Sequence, residues 1–93
     1  MLKNAEDDGW RRMGLDNREK YEEIFCRIFL TDDRDNLMER DVFNTEHWNS
    51  FEHFMFVSQL EQTFDLHISG EDITKMTSFQ KGLAVLSRYG VQF

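Results

Sequence analysis

Residues 48–64 decide the fold, and they read WNSFEHFMFVSQLEQTF. Asn49 and Glu52 form a capping-box pattern, in which a cap residue is followed three positions later by an acid. The apolar residues that follow have the spacing of one helix face: Phe56, Val57, Leu60 and Phe64. The stretch therefore predicts an α-helix that begins after Asn49 and ends near Asp65.

Three further segments carry helix signals. Asn17 can cap a first helix, whose apolar residues again follow the helical spacing: Tyr21, Ile24, Phe25, Ile28 and Phe29. Ser69 begins a capping pattern before a short helix, and Thr77 begins another before a last helix that Gly90 ends. The inward residues of these two helices are Ile73, Met76, Phe79, Leu83 and Leu86. No segment alternates convincingly with period two, so we predict an all-α bundle of three long helices and one short helix.

Two segments lack a sustained helical pattern. Residues 31–47 carry four Asp and only scattered apolar residues, which predicts a long first loop with at most a short turn. Residues 1–16 show no clear periodicity and are expected to form a mobile N-terminal extension, although Trp10 and Met13 leave docking on the body open. The helical domain is then expected to span residues 17–93.

The chain is short and acidic. Its 93 residues suit one domain, and a hydrophobic content of 40% with nine Phe and two Trp supplies a core without metal or disulfide. Eighteen acidic residues oppose eleven basic ones, for a net charge of −7. Such a surface repels nucleic-acid phosphate and anionic lipid, and it favours partners with basic docking faces. We expect neither nucleic acid nor membrane among the partners.

The cysteine content and the hydropathy bear on localisation. Cys26 is the only cysteine, so no internal disulfide can form and a reducing setting is favoured. No apolar run approaches the ~20 residues of a membrane span, and the first residues lack a signal peptide's apolar stretch. A cytoplasmic protein is expected.

Several apolar residues lie outside the predicted buried stripe of the residue 50–64 helix. Phe51 and Met55 are interpreted as parts of an exposed patch for a partner or cargo. For Phe54 the same interpretation and a broad buried face both remain open.

The stretch from Trp48 to Ile68 resembles the acyl carrier protein family. The family signature is an Asp-Ser-Leu tripeptide, often preceded by Trp, at the start of a helix. Ser50 matches the modified serine of that signature, and Phe51 stands in the place of the Leu. Further residues fall in register with the family pattern: Leu60, Glu61, Phe64 and Ile68. The resemblance covers about residues 18–90.

The resemblance implies a carrier rather than an enzyme. Ser50 would carry a 4′-phosphopantetheine arm, which holds an acyl, aminoacyl or peptidyl group as a thioester in a specialised biosynthetic pathway such as polyketide or nonribosomal synthesis. The implied partners are a phosphopantetheinyl transferase, an acyl-loading ligase or acyltransferase, and a synthase or other acyl-processing enzyme. We expect a monomer whose docking residues lie on the Ser50 helix: Phe51, Phe54, Met55, Ser58, Glu61 and Gln62.

Two positions depart from the family pattern. Asn49 replaces the Asp that normally precedes the serine; it caps a helix equally well, but it lacks the charge that is thought to assist the magnesium-dependent transferase. Met55 stands where many members carry an acid. An unmodified helical interaction module, which binds a partner without an arm, is therefore the alternative function.

Other chemistry is disfavoured by spacing. The histidines (His47, His53 and His67), Cys26 and Glu46 match no standard zinc pattern, and Cys26 is interpreted as a packing thiol. A calcium loop starting at Asp33 fails because Leu37 and Met38 occupy its fifth-ligand and glycine positions. No catalytic Ser-His-Asp or Cys-His arrangement is indicated, so we expect neither a metal site nor catalysis.

Overall fold

A computed structural model describes residues 15–93. The four α-helices are α1 (Asn17–Ile28), α2 (Ser50–Phe64), α3 (Gly70–Ile73) and α4 (Phe79–Arg88), and a 3-10 helix, Arg34–Glu39, lies between α1 and α2. The prediction of a mostly helical chain is confirmed. Within residues 15–93 the only β geometry is an isolated antiparallel bridge between Asp41 and Ser78. The expectation for the extension concerns mostly residues 1–14, which lie outside the described residues.

The α1 cap lies one residue earlier than predicted. Asp16 accepts a hydrogen bond from the Glu19 N–H at 2.9 Å, and the Glu19 carboxylate accepts one from the Asp16 N–H at 3.0 Å. Asn17 is the first helical residue, and its side chain donates to the Gln92 carbonyl at 3.1 Å. Leu15 packs partly buried against the core. Residues 15 and 16, which the sequence placed in the extension, thus belong to the helical body.

The other predicted caps are close to their observed places. Asn49 caps α2 and Ser69 caps α3, as predicted. For α4 the cap is Ser78 rather than Thr77, because the Ser78 hydroxyl accepts from the Lys81 N–H at 3.0 Å.

The three longer helices end in the same motif. After each one, a residue with positive φ allows the next N–H to reach back to a carbonyl of the last helical turn. The three positive-φ residues are Leu30 (53°), Asp65 (55°) and Gly90 (97°). Glycine adopts this conformation without strain and Asp tolerates it, whereas Leu adopts it only with backbone strain. Gly90 was predicted as a helix stop, but no sequence signal identified Leu30.

An aromatic cluster fills the core between α1, α2 and α4. Its members are Tyr21, Phe25, Phe29, Trp48, Phe56 and Phe79, all buried. Trp48 stacks on Phe29 with ring centroids 4.3 Å apart. Four predicted core residues are only half-buried: Ile28, Phe64, Ile73 and Leu83. The sequence did not assign Trp48 to the core.

The first loop is tied to the body at two places. Leu37, in the 3-10 helix, is buried in the core. Near its end the loop pairs with the chain before α4, where the Val42 N–H donates to the Thr77 carbonyl at 3.1 Å and the Phe79 N–H donates to the Arg40 carbonyl at 3.0 Å. The predicted loop is therefore a structured connection.

Candidate functional site

Ser50 is exposed and is the first residue of α2. Asn49 before it is extended, and its side-chain oxygen accepts from the N–H groups of Phe51 at 3.0 Å and Glu52 at 3.3 Å. The local fold around the serine is therefore fixed by its neighbour, and the Ser50 side chain has no role in capping the helix.

The predicted capping box at Asn49 is only half formed. The Asn49 N–H does not donate to the Glu52 carboxylate, and one oxygen of that carboxylate is buried without a hydrogen-bond partner within residues 15–93. The Asn49 side chain also occupies two of the first-turn N–H groups that an anion at Ser50 would otherwise meet.

A groove lies beside Ser50, and we call it the Ser50 groove. Its volume is about 480 Å³, and its lining residues come from the first loop, α2 and the α3 region: Val42, Trp48, Asn49, Ser50, His53, Phe54, Ile73, Thr74 and Thr77. This groove was not predicted from the sequence, because residues far apart in the chain form its walls.

His53 joins two walls of the Ser50 groove. Its Nδ1 lies 2.9 Å from the indole Nε1 of Trp48, and its Nε2 lies 2.9 Å from the carbonyl oxygen of Ile73. From the sequence, His53 was considered only as a metal ligand, and its spacing disfavoured that role. Its contacts make it an internal link between α2 and α3.

The exposed patch predicted on α2 is present. Phe51 is 66% exposed, Phe54 69% and Met55 40%. The open question about Phe54 is thereby decided in favour of exposure. Gln62 is also exposed, whereas Ser58 is half-buried.

A second groove, the Leu30 groove, lies between the end of α1 and α2. Its volume is about 580 Å³, and it is lined by Arg27, Ile28, Leu30, Glu52, Phe54, Met55, Ser58 and Gln59. Leu30 is 71% exposed at one side of it. Phe54 lines both grooves, so the patch on α2 continues onto the end of α1.

Glu61 differs from its predicted role as an exposed docking residue. Its side chain is 26% exposed, and its carboxylate accepts a hydrogen bond from the Ile68 N–H at 2.8 Å. The same oxygen lies 3.5 Å from Nδ1 of His67. Glu61 therefore anchors the turn after α2, and its charge is already engaged within the fold.

The remaining candidate side chains do not form a site. Cys26 is buried, and burial raises the pKa of its thiol while nearby Arg34 opposes the shift. Its interpretation as a packing thiol is confirmed. His47 and His67 are exposed. No group of three or more His, Cys, Asp or Glu that could hold a metal occurs in the part of the chain that the structure describes.

No protein-family model, curated protein or solved structure matches the chain. None of the helices within residues 15–93 has the length and apolar character needed to cross a membrane. A function is therefore inferred from the residues themselves and from the geometry around Ser50.

Proposed function

We propose that this protein is an acyl, aminoacyl or peptidyl carrier with the fold of an acyl carrier protein. In this proposal Ser50 bears a 4′-phosphopantetheine arm. The observation that carries the proposal is the position of Ser50: an exposed hydroxyl at the first residue of a long helix, beside a groove of about 480 Å³. The resemblance of residues 48–68 to the family pattern supports the same serine.

Arm attachment is a phosphoryl transfer that the carrier does not catalyse. The Ser50 oxygen forms a bond to the phosphorus that bears the pantetheine of coenzyme A, the bond to the nucleotide phosphate breaks, and the serine proton leaves to a base of the transferase. The helix dipole of α2 favours the resulting phosphodiester by roughly 0.3–1 kcal/mol. The N–H groups of Phe51 and Glu52 already donate to Asn49. The helix dipole therefore stabilises the phosphodiester more than hydrogen bonds from these two N–H groups do.

The arm's thiol would then hold the carried group as a thioester. A carrier passes this group among several enzymes, so its contacts with each must be brief. A small apolar anchor surrounded by charge suits such contacts, because the anchor gives affinity and the charge speeds encounter. The exposed apolar patch on an acidic body has this composition.

We propose that partners dock on the exposed face of α2 and the adjoining Leu30 groove. The residues of this docking face are Phe51, Phe54, Met55, Ser58, Gln62 and Leu30. Residues 15–93 contain fifteen acidic and eight basic residues, a net charge of −7. The complementary surface of a partner is therefore expected to present an apolar side chain flanked by Lys or Arg. The proposed partners are a transferase, a loading ligase or acyltransferase, and a synthase. Repulsion between acidic copies of the chain favours a monomer. The single cysteine suits the reducing cytoplasm, where we place the carrier.

The alternative function is an interaction module that carries no arm. Asn49 supports it, because the charge beside Ser50 that the family uses for loading is missing. The exposed patch on α2 also serves a module of this kind, since docking does not require the arm.

Matched serine variants separate the two functions. The purified protein is incubated with coenzyme A and a broad-specificity phosphopantetheinyl transferase, and arm incorporation is followed by intact mass. We expect incorporation in the wild type and in Ser87→Ala, an exposed serine of α4 outside the docking face, and none in Ser50→Ala. Helical circular dichroism should be unchanged, because Asn49 and not Ser50 caps α2. Incorporation that persists in Ser50→Ala would place the arm elsewhere, and a wild type that is never modified would favour the interaction module.

A further inference from the structure

The hydrogen bonds of His53 define one tautomer of its ring. The indole Nε1 of Trp48 can only donate, so Nδ1 of His53 must accept and carries no proton. The carbonyl of Ile73 can only accept, so Nε2 must carry the ring proton and donate it. Both bonds, at 2.9 Å each, are satisfied only by the neutral, Nε2-protonated imidazole.

The two partners of His53 are held from opposite sides. Trp48 is buried and stacks on Phe29 of α1, so its indole is fixed by the core. Ile73 is the last residue of α3, and its carbonyl also accepts from the Met76 N–H at 3.2 Å. His53 therefore connects a fixed point in the core to the end of a helix of only four residues.

α3 has other attachments besides the His53 bond: Ile73 packs partly buried against the core, and the Ser69 N–H donates to the Tyr89 hydroxyl at 2.9 Å. The helix is capped by Ser69, and Asp72 joins it to Tyr89 at 2.7 Å and Arg88 at 2.5 Å, both at the end of α4. The bonds made by Asp72 therefore connect α3 to α4 and not to α2. Within residues 15–93, the bond from His53 to the Ile73 carbonyl is the one hydrogen bond that joins a side chain of α2 to the backbone of α3.

His53 lies close to Ser50 along α2. It follows Ser50 by three residues, so the two side chains share one face of the helix. Both line the Ser50 groove, and Ile73 and Thr74 line its other side. Any change in the distance between His53 and Ile73 is therefore a change in the width of the groove next to the serine.

We propose that His53 is a positioning residue that fixes α3 against α2 and so sets the width of the Ser50 groove. Its relevance to the size of a carried group rests on the proposed carrier function, but the positioning itself does not. The active contact is the donation from Nε2 to Ile73, and the bond from Trp48 selects the tautomer that makes this donation.

Three variants separate the two bonds. His53→Gln places an amide near the Nε2 position and can still donate to Ile73. His53→Asn places its amide near the Nδ1 position and can still accept from Trp48. His53→Phe keeps a ring of similar size and loses both bonds. His47→Gln is the matched control, because His47 is exposed and lies outside the lining of the Ser50 groove.

The test uses nuclear magnetic resonance on the protein without an arm. Nitrogen-15 spectra of the wild-type ring should report the Nε2-protonated tautomer of His53. In His53→Phe and His53→Asn, the amides of Ile73, Thr74 and Met76 should exchange roughly two- to tenfold faster, the effect of losing one hydrogen bond. Overhauser contacts observed across the groove, from Ile73 or Thr74 to the α2 residues that line it, should weaken in the same variants. His53→Gln should restore both signals, and amides in the middle of α2 should not change in any variant.

Three results would overturn the inference. One is an Nδ1-protonated or rapidly exchanging ring in the wild type. Another is that amide exchange in α3 and the contacts across the groove are the same in His53→Phe as in the wild type. The inference also fails if His53→Asn restores these signals and His53→Gln does not. These measurements use the protein without an arm, so they do not depend on the loading of Ser50. If Ser50 is never loaded, the proposed carrier function is contradicted, and the role of His53 is still decided by the resonance experiments.

Discussion

Leu30 is the residue whose conformation is least expected from its chemistry. It ends α1 at a φ of 53°, and its side chain is 71% exposed, so burial does not compensate for the strain. At the equivalent ends of α2 and α4 the chain uses Asp65 and Gly90. A large apolar side chain in this position is consistent with a role in contacts outside the fold, as the proposed docking face requires.

We expect Leu30→Gly to stabilise the protein. Relief of the left-handed strain outweighs the added flexibility of the unfolded chain, for a gain of roughly 0.5–1 kcal/mol in the free energy of unfolding. Urea unfolding measures the change, and Asp65→Gly is the control, with a smaller gain because Asp tolerates this conformation. If Leu30→Gly destabilises the protein by more than 1 kcal/mol, Leu30 is a packing residue and does not belong to the docking face.

Asn49 tests the role of charge beside the attachment serine. Asn49→Asp should increase the initial rate of arm loading by a general transferase, since it restores the missing carboxylate. The free energy of unfolding should change by less than about 0.5 kcal/mol, because the two residues cap helices equally well. Gln92→Glu adds the same charge at an exposed position outside the docking face and should leave the rate unchanged. Equal rates for Asn49→Asp and the wild type would show that the charge is irrelevant to loading.

At the scale of elements, α3 and α4 are joined through Asp72. Its carboxylate accepts hydrogen bonds from the Tyr89 hydroxyl and from Arg88, and its backbone N–H donates to the Ser69 hydroxyl that caps α3. The hydrogen bond from Tyr89, with Arg88 and Ser69 contributing, lowers the pKa of Asp72 below its ordinary value of 3.8. The carboxylate form is therefore favoured by the folded state.

The sign of the pH effect follows from this lowered pKa. A carboxyl whose pKa is lower in the folded than in the unfolded state stabilises the fold above the unfolded value of 3.8, and this contribution is lost as the pH falls through the folded value. The difference in unfolding free energy between wild type and Asp72→Asn should therefore be larger at neutral pH than in acid. Urea unfolding across the acid range measures it, with Glu71→Gln, an exposed neighbour, as the control. A difference that is constant with pH would contradict the assignment.

The contact between α1 and α4 depends on a glycine. Tyr21 is fully buried and donates to the Phe79 carbonyl at 2.8 Å, and a Cβ built on Gly82 would overlap its hydroxyl. Burial also raises the pKa of Tyr21 well above its usual value, so the phenol stays protonated. Gly82 thus provides the space in which α4 approaches α1.

We expect Gly82→Ala to destabilise the protein by about 1–3 kcal/mol, although alanine is the better helix former. Tyr21→Phe should cost about 1–3 kcal/mol, because the Phe79 carbonyl loses its donor. The double variant should be less destabilised than the sum, since removing the hydroxyl makes room for the methyl group. Thermal or urea unfolding of the four proteins gives the coupling, and Gly70→Ala, which meets open space, is the control. Simple additivity would contradict the overlap.

For the whole molecule, the parts that were predictable from sequence are those fixed by neighbours in the chain. Helix spacing and caps are local, so α2 and its cap at Asn49 were predicted correctly, and the caps of α1 and α4 were displaced by one residue. The exposure of Phe51 and Met55 followed from their place outside the apolar stripe.

The parts that were missed depend on contacts between distant residues. The sequence cannot tell that Trp48 stacks on Phe29, that His53 reaches Ile73, or that the carboxylate of Glu61 turns back to the Ile68 N–H. The two grooves arise from the same long-range packing. Their position beside Ser50 and Leu30 could therefore be read only from the folded chain.

The central claim, that Ser50 carries the arm, is tested most directly by site-resolved mass spectrometry. The wild-type chain is incubated with coenzyme A and a broad-specificity phosphopantetheinyl transferase, digested, and its peptides are fragmented. We predict one phosphopantetheinyl group per chain, located on Ser50 in the peptide that contains residues 48–55. A group found on any other serine, or a chain in which every serine stays unmodified under conditions that fully load a known carrier, would contradict the account.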